Sequence, residues 1–139
     1  MTKNAVLMSI RPQYANKIFS GIKTVELRRV KPKFLDEGDL IFVYVSSPVK
    51  SLVGAFTVSS VAEKSVMSLW RNVKDYAGVS RSEFLDYFKD VEKGVAIFIK
   101  DVWLLPKPIH LAELKKEVKG FHPPQSFRYT SVRQVKNFL

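Results

Sequence analysis

Apolar positions recur along this chain with two periods, and the switches between them mark out the elements. Ala5 to Ile10 is an apolar run of strand length. Pro12 then stands where the first turn of a helix tolerates proline, and Tyr14, Ala15, Ile18 and Phe19 follow at helical spacing until Gly21 closes the helix. From Thr24 to Val30 the period drops to two. Val25 and Leu27 share one face, and Thr24, Glu26 and Arg28 share the other, as in a half-buried strand. The loop signal Asp36-Glu37-Gly38 leads into the apolar strand Leu40 to Val45, which Pro48 ends.

A further strand is predicted over Leu52 to Val61, interrupted by Gly54, a residue that marks a bulge or a close approach to the backbone. Two helices follow. Ser65 is placed to cap the first, with Val66, Leu69, Trp70 and Val73 as its buried stripe. Ser80-Arg81-Ser82-Glu83 is a capping box for the second, whose stripe is Phe84, Leu85 and Phe88. After Gly94, Val95 to Leu105 reads as a long strand ended by Pro106 and Pro108, followed by a short helix with Leu111, Leu114 and Val118 that stops at Gly120. Phe121 to Tyr129 has no clear period, and Ser131 opens a last short helix toward Leu139. Without repeats or linkers, the chain is expected to form one α+β domain over residues 1–139, a small closed or nearly closed barrel with helices outside.

Charge adds direction to this picture. Lys and Arg number 23 and Asp and Glu 13, for a net +10, and the excess is uneven. Residues 1–33 carry eight basic side chains and one acid, Glu26; residues 107–139 carry seven and two; residues 34–106 carry eight and ten. If the chain ends meet in the fold they make one positive face, suited to phosphates. The chain has no cysteine, which excludes disulfides, thiolate metal sites and thiol nucleophiles. With no secretory leader and no run approaching the ~20 apolar residues of a membrane span, a cytoplasmic monomer with no membrane contact is expected.

The stretch Gly21-Ile22-Lys23-Thr24-Val25-Glu26-Leu27-Arg28, preceded by Ser9-Ile10-Arg11-Pro12 and the first helix, resembles the G-x-K-x-x-E-x-R signature of the ASCH domain family within the PUA-like superfamily. The acidic loop, the glycine-containing strand and the Phe-rich closing segment fall in the family's order, so the resemblance extends over nearly the whole chain. It implies a PUA-like β-barrel of about five to six strands surrounded by short helices. It also implies a cleft lined by the motif, and binding of RNA or a modified nucleoside. On the residues themselves, Glu26 orients Arg28 and leaves other guanidinium donors for a phosphate or base edge. The expected nucleic-acid contacts are Arg11, Lys23, Glu26, Arg28, Gln125, Arg128 and Tyr129, the last two closing the cleft.

Rings supply the stacking half of such a site, and Phe121, Phe127 and Tyr129 are the candidates, while Trp70, Phe84, Phe88, Phe98 and Trp103 are assigned to the core. A second class is a hydrolase of RNA or of an acylated nucleoside, with Lys23, Thr24 and Glu26 as its catalytic set. Relatives implicated in acylcytidine hydrolysis pair the motif lysine with a threonine three positions on; here that position is Glu26, and Thr24 is offset. A third class is a protein-interaction regulator whose basic face is incidental. No cofactor is expected. His110 and His122, twelve apart, lack a carboxylate at ligand spacing, so no metal site is assigned, and Asp36, Glu37 and Asp39 read as a solvated turn.

Overall fold

A computed structural model describes residues 5–130. Its strands are β1 (Ala5–Ile10), β2 (Val25–Arg28), β3 (Leu40–Val45), β4 (Ser51–Ser65), β5 (Lys93–His110) and β6 (Phe127–Thr130). Its helices are α1 (Pro12–Phe19), α2 (Val66–Val73), α3 (Arg81–Tyr87) and α4 (Leu111–Glu117). The six strands form one mixed sheet in the order β2-β5-β4-β3-β1-β6, parallel only between β1 and β3. The fold is therefore α+β, as expected. The pairing leaves β2 and β6 as the two edges, so the closed barrel is not what the backbone ladder makes.

Strand alternation sorts the apolar residues onto the two faces. Val6, Met8 and Ile10 of β1, Ile41 and Val43 of β3, and Val95 and Ile97 of β5 pack on one face with Ala15 and Ile18 of α1. Leu7, Phe42, Tyr44 and Leu52 pack on the other, under Leu114 of α4. A third cluster joins Val25 and Leu27 of β2 to Leu69, Val73, Phe84 and Phe88 of α2 and α3. Ser80 and Glu83 complete the capping box predicted for α3, each side chain accepting from the other's backbone N–H. Ser65 precedes α2 as expected but makes no capping bond with its side chain.

Four expectations need correction. β5 does not stop at Leu105 but runs to His110, pairing Ile109 with Leu52 and His110 with Ser51. The prolines are tolerated because the register shifts between Leu52 and Gly54, so Pro106 and Pro108 fall opposite no partner that needs their N–H. Trp103, assigned to the core, is 38% exposed beside this irregular stretch. Phe127–Thr130 is a strand, held antiparallel to β1, whose four residues are too few to show a period after the prolines. β2 is buried on both faces rather than half-buried. The expected helix from Ser131 lies outside the described residues.

Gly54 does both things its position suggested. It sits at a register shift, and a Cβ there would fall on the Trp103 carbonyl oxygen and within 2.9 Å of the Phe19 ring. The β1–β6 pairing also joins one strand from each of the two basic segments, residues 1–33 and 107–139.

Candidate functional site

The cleft is built at the gap between the two sheet edges. Gly21, at φ +84°, lets the chain leave α1, and Lys23 N–H bonds back to the Lys17 carbonyl before β2 begins. Val25 and Leu27 anchor β2 in the helix cluster, so alternation turns Glu26 and Arg28 the other way, opposite Ile97 and Val95 of β5. There the three motif side chains are buried. Lys23 is 2% exposed, Glu26 5% and Arg28 9%.

Glu26 stands between the two cations. Its Oε2 accepts from Arg28 Nη2 at 2.9 Å, and its Oε1 accepts from Leu27 N–H at 3.2 Å and lies 3.9 Å from Lys23 Nζ. Lys23 Nζ donates to the Ala77 carbonyl at 2.5 Å and lies 5.5 Å from the centre of the Tyr14 ring. Burial lowers the Lys23 pKa; Glu26 partly offsets this, and Lys17 and Arg28 add to it. The proton is thus released more readily than from a solvated lysine.

Arg28 spans the gap that the backbone leaves open. Nη2 also donates to the Ser9 carbonyl of β1 at 3.0 Å, and Nη1 donates to Ser126 Oγ, just before β6, at 3.2 Å. Its Nε–H is buried without a partner. A buried guanidinium donor left unpaired is costly.

Around this centre lies a cleft of about 520 Å³, lined by Arg11, Lys23, Glu26, Arg28 and Gln125 of the expected set. Sequence reasoning missed Ser9, Tyr14, Tyr87 and Ser126, which also line it. Ser9 and Ser126 flank residues that were singled out, but only the β1–β6 pairing shows that both meet Arg28. Tyr87 donates to the Leu27 carbonyl at 3.2 Å, and burial raises its pKa. Arg29 Nη1 donates to the Tyr87 carbonyl at 3.1 Å.

Three expected residues stand elsewhere. Thr24 is exposed and lies before β2 begins, its backbone bonded to Tyr76 and Ile99, so it joins neither Lys23 nor the cleft. Arg128 pairs with Leu7 in the ladder and therefore faces the opposite side of the sheet. There it donates to the His122 carbonyl, lies 5.0 Å from the Phe121 ring centre and lines a separate pocket of about 250 Å³. Tyr129 points to the cleft's side of the sheet but packs on Phe34, beyond the cleft lining. The pair expected to close the cleft therefore does not do so. His110 is the N-cap of α4, its Nδ1 accepting from Ala112 N–H. No cluster of three His, Asp or Glu suited to a metal occurs among the described residues. No helix among them is long and apolar enough to cross a membrane.

The chain is similar to known proteins over most of its length. The profile of the ASCH domain matches residues 8–123, and the chain belongs to that family. It is 35% identical over 137 residues to a protein of Zymomonas mobilis named ASCH domain-containing ribonuclease, covering 99% of this chain and 90% of that one. A crystal structure of ASCH from Zymomonas mobilis superposes with a TM-score of 0.88 at 32% identity, over 95% of this chain and 91% of that one. The fold is shared more distantly with the N-terminal domain of Thermococcus gammatolerans McrB bound to m5C DNA, at 15% identity and a TM-score of 0.53, over 96% of this chain and 94% of that one.

Proposed function

We propose that this ASCH domain binds single-stranded RNA in the Lys23–Glu26–Arg28 cleft and cleaves it there. The observation that carries the reading is the buried Arg28 guanidinium, oriented by Glu26 and with its Nε–H unpaired, at the floor of a cleft edged by Arg11. The 35% identical relative named a ribonuclease supports turnover over binding alone. We read the sheet as a PUA-like barrel opened at one seam, with the cleft occupying the seam. The chain acts as one domain.

RNA carries its own nucleophile, and the cleft holds the groups to use it. Arg28 and Arg11 bind the phosphate and stabilise the charge that grows on its oxygens. The 2′-oxygen bonds to phosphorus as the P–O5′ bond breaks. Lys23, whose pKa burial lowers, accepts the 2′-hydroxyl proton and passes a proton through water to the departing 5′-oxygen, which restores the lysine. The products are a cyclic 2′,3′-phosphate and a free 5′-hydroxyl.

The test is incubation with mixed short RNAs at moderate salt, with retained ligand and product read by mass spectrometry. The wild type retains and cuts, Lys23→Ala retains without cutting, and Arg28→Ala loses retention by about 1–3 kcal/mol. Retention without product in the wild type reduces the function to binding. Neither retention nor product moves the weight to a protein-interaction domain.

A further inference from the structure

The lining of the cleft is not uniformly basic. Arg11 follows β1 and Arg28 reaches across the floor, but α3, packed on β2, contributes Glu83 and Asp86 and no cation. A groove that only gripped phosphates would gain nothing from carboxylates there, because like charges repel. The two acids are not equivalent. Glu83 is spent on the cap of α3, its Oε1 accepting from Ser80 N–H at 3.1 Å. Asp86 stands three residues on, about 4.5 Å further along the helix axis, and is exposed. No hydrogen bond or ion pair reaches its carboxylate among the described residues.

The helix end that carries Asp86 is fixed to the motif strand. Its neighbour Tyr87 donates from Oη to the carbonyl of Leu27, the residue between Glu26 and Arg28, and Arg29 Nη1 donates to the Tyr87 carbonyl. Ahead of the helix, Lys23 Nζ holds the Ala77 carbonyl and Lys17 Nζ the Gly78 carbonyl, so the acidic wall is built against Lys23. A strand cut by its own 2′-hydroxyl spends that hydroxyl at Lys23 and carries its 3′-oxygen in the phosphate, which leaves the ribose no donor for α3. What remains is the base. An ionised carboxylate only accepts, and two open oxygens are matched by two donors side by side. Among the four RNA bases only guanine presents that pair, N1–H and the 2-amino group, on its Watson–Crick edge. Cytosine and adenine set one amino group beside a ring nitrogen that repels the carboxylate, and uracil sets one N–H between two carbonyl oxygens.

We propose that Asp86 reads guanine in the nucleotide whose 2′-hydroxyl meets Lys23, its two carboxylate oxygens accepting from N1–H and the 2-amino group, so that the protein prefers strands with guanosine on the 5′ side of the cut. The phosphate lies toward Arg11 and Arg28, away from the two acids. The assignment rests on the reading of the cleft as an RNA site.

The experiment is fluorescence anisotropy with octanucleotides of uridine that carry guanosine, inosine, adenosine, cytidine or uridine at one central position. Thermal midpoints serve as a folding control, and product ends are read by mass spectrometry. The wild type binds the guanosine strand about tenfold more tightly than the uridine strand, as a bidentate base contact allows. It holds the inosine strand, which lacks the 2-amino group, in between, and its product ends in guanosine. Asp86→Asn brings the guanosine strand down to the level of the uridine strand without lowering the midpoint. If Arg28→Ala and the exposed Arg11→Ala weaken every strand while Asp86→Asn keeps the wild-type order, the cleft stands and the guanine reading falls. A wild type without base preference, or with a preference for another base, overturns the guanine reading too. So does an Asp86→Asn protein that tightens every strand equally, since the carboxylate then only repels phosphate. If Asp86→Asn removes the guanosine preference while neither arginine variant weakens any strand, the guanine reading stands and the phosphate role of the cleft fails.

Discussion

Arg28 and Arg128 are both expected from the sequence to face one ligand, yet they lie on opposite sides of the sheet in different electrostatic surroundings. Arg28 is buried against Glu26, a backbone carbonyl and a serine hydroxyl, with its Nε–H unpaired. Arg128 is half-buried on a phenylalanine ring and a carbonyl. The first guanidinium depends on a carboxylate that was itself removed from water, so it is oriented by charge. The second is held mainly by packing. Orientation by a neighbouring charge is what a site needs, whereas packing is enough for a structural cation.

The largest effect that separates the two comes from Glu26→Ala. It leaves Lys23 and Arg28 buried without their shared counter-charge, and breaking such a pair costs about 3 kcal/mol or more. Urea unfolding midpoints at constant slope check this. A loss no larger than that from Arg128→Ala would show that the buried triad is not energetically coupled.

A smaller effect comes from the proton on Lys23. Its folded-state pKa lies below the value of about 10.4 it has when unfolded. Between the lowered value and ~10.4 the unfolded chain binds more protons, so stability contributed by this residue rises with pH across that window and is flat below it. Lys23→Met removes the slope. The wild type should therefore gain on Lys23→Met as pH rises toward ~10.4, read as the difference in urea midpoints. A pH-independent difference would mean that burial does not perturb this lysine.

How much of this could be read from residues alone follows from the same contrast. The motif spacing gave Lys23, Glu26 and Arg28 a shared site because α1, the Gly21 turn and β2 are local and their periods are plain. The capping box of α3 was legible for the same reason. The partners of Arg28 were not. Ser9 and Ser126 are far apart in sequence and meet only through the β1–β6 ladder, and β6 is too short to announce its phase. Since a one-residue shift in phase turns a strand side chain to the other face, Arg128 could not be separated from its neighbours without that register. The prolines misled for a related reason: the bulge that accommodates them depends on pairing with β4, which no local rule supplies.

The smallest effect is the sharpest check on the register. Arg128→Ala removes a cation–π contact and one hydrogen bond at a half-buried position, which is worth about 0.5–1 kcal/mol of stability. If Arg128 were a lid on the cleft, the same change would also lower RNA affinity and reduce the salt slope by about 0.7. The ladder pairs Arg128 with Leu7 on the face away from Arg28, so the expected outcome is a slightly lower thermal midpoint with RNA affinity and salt slope unchanged. Loss of affinity with an unchanged midpoint would instead mean that the strand reaches round the β6 edge to the second pocket, and the two arginines would serve one ligand after all.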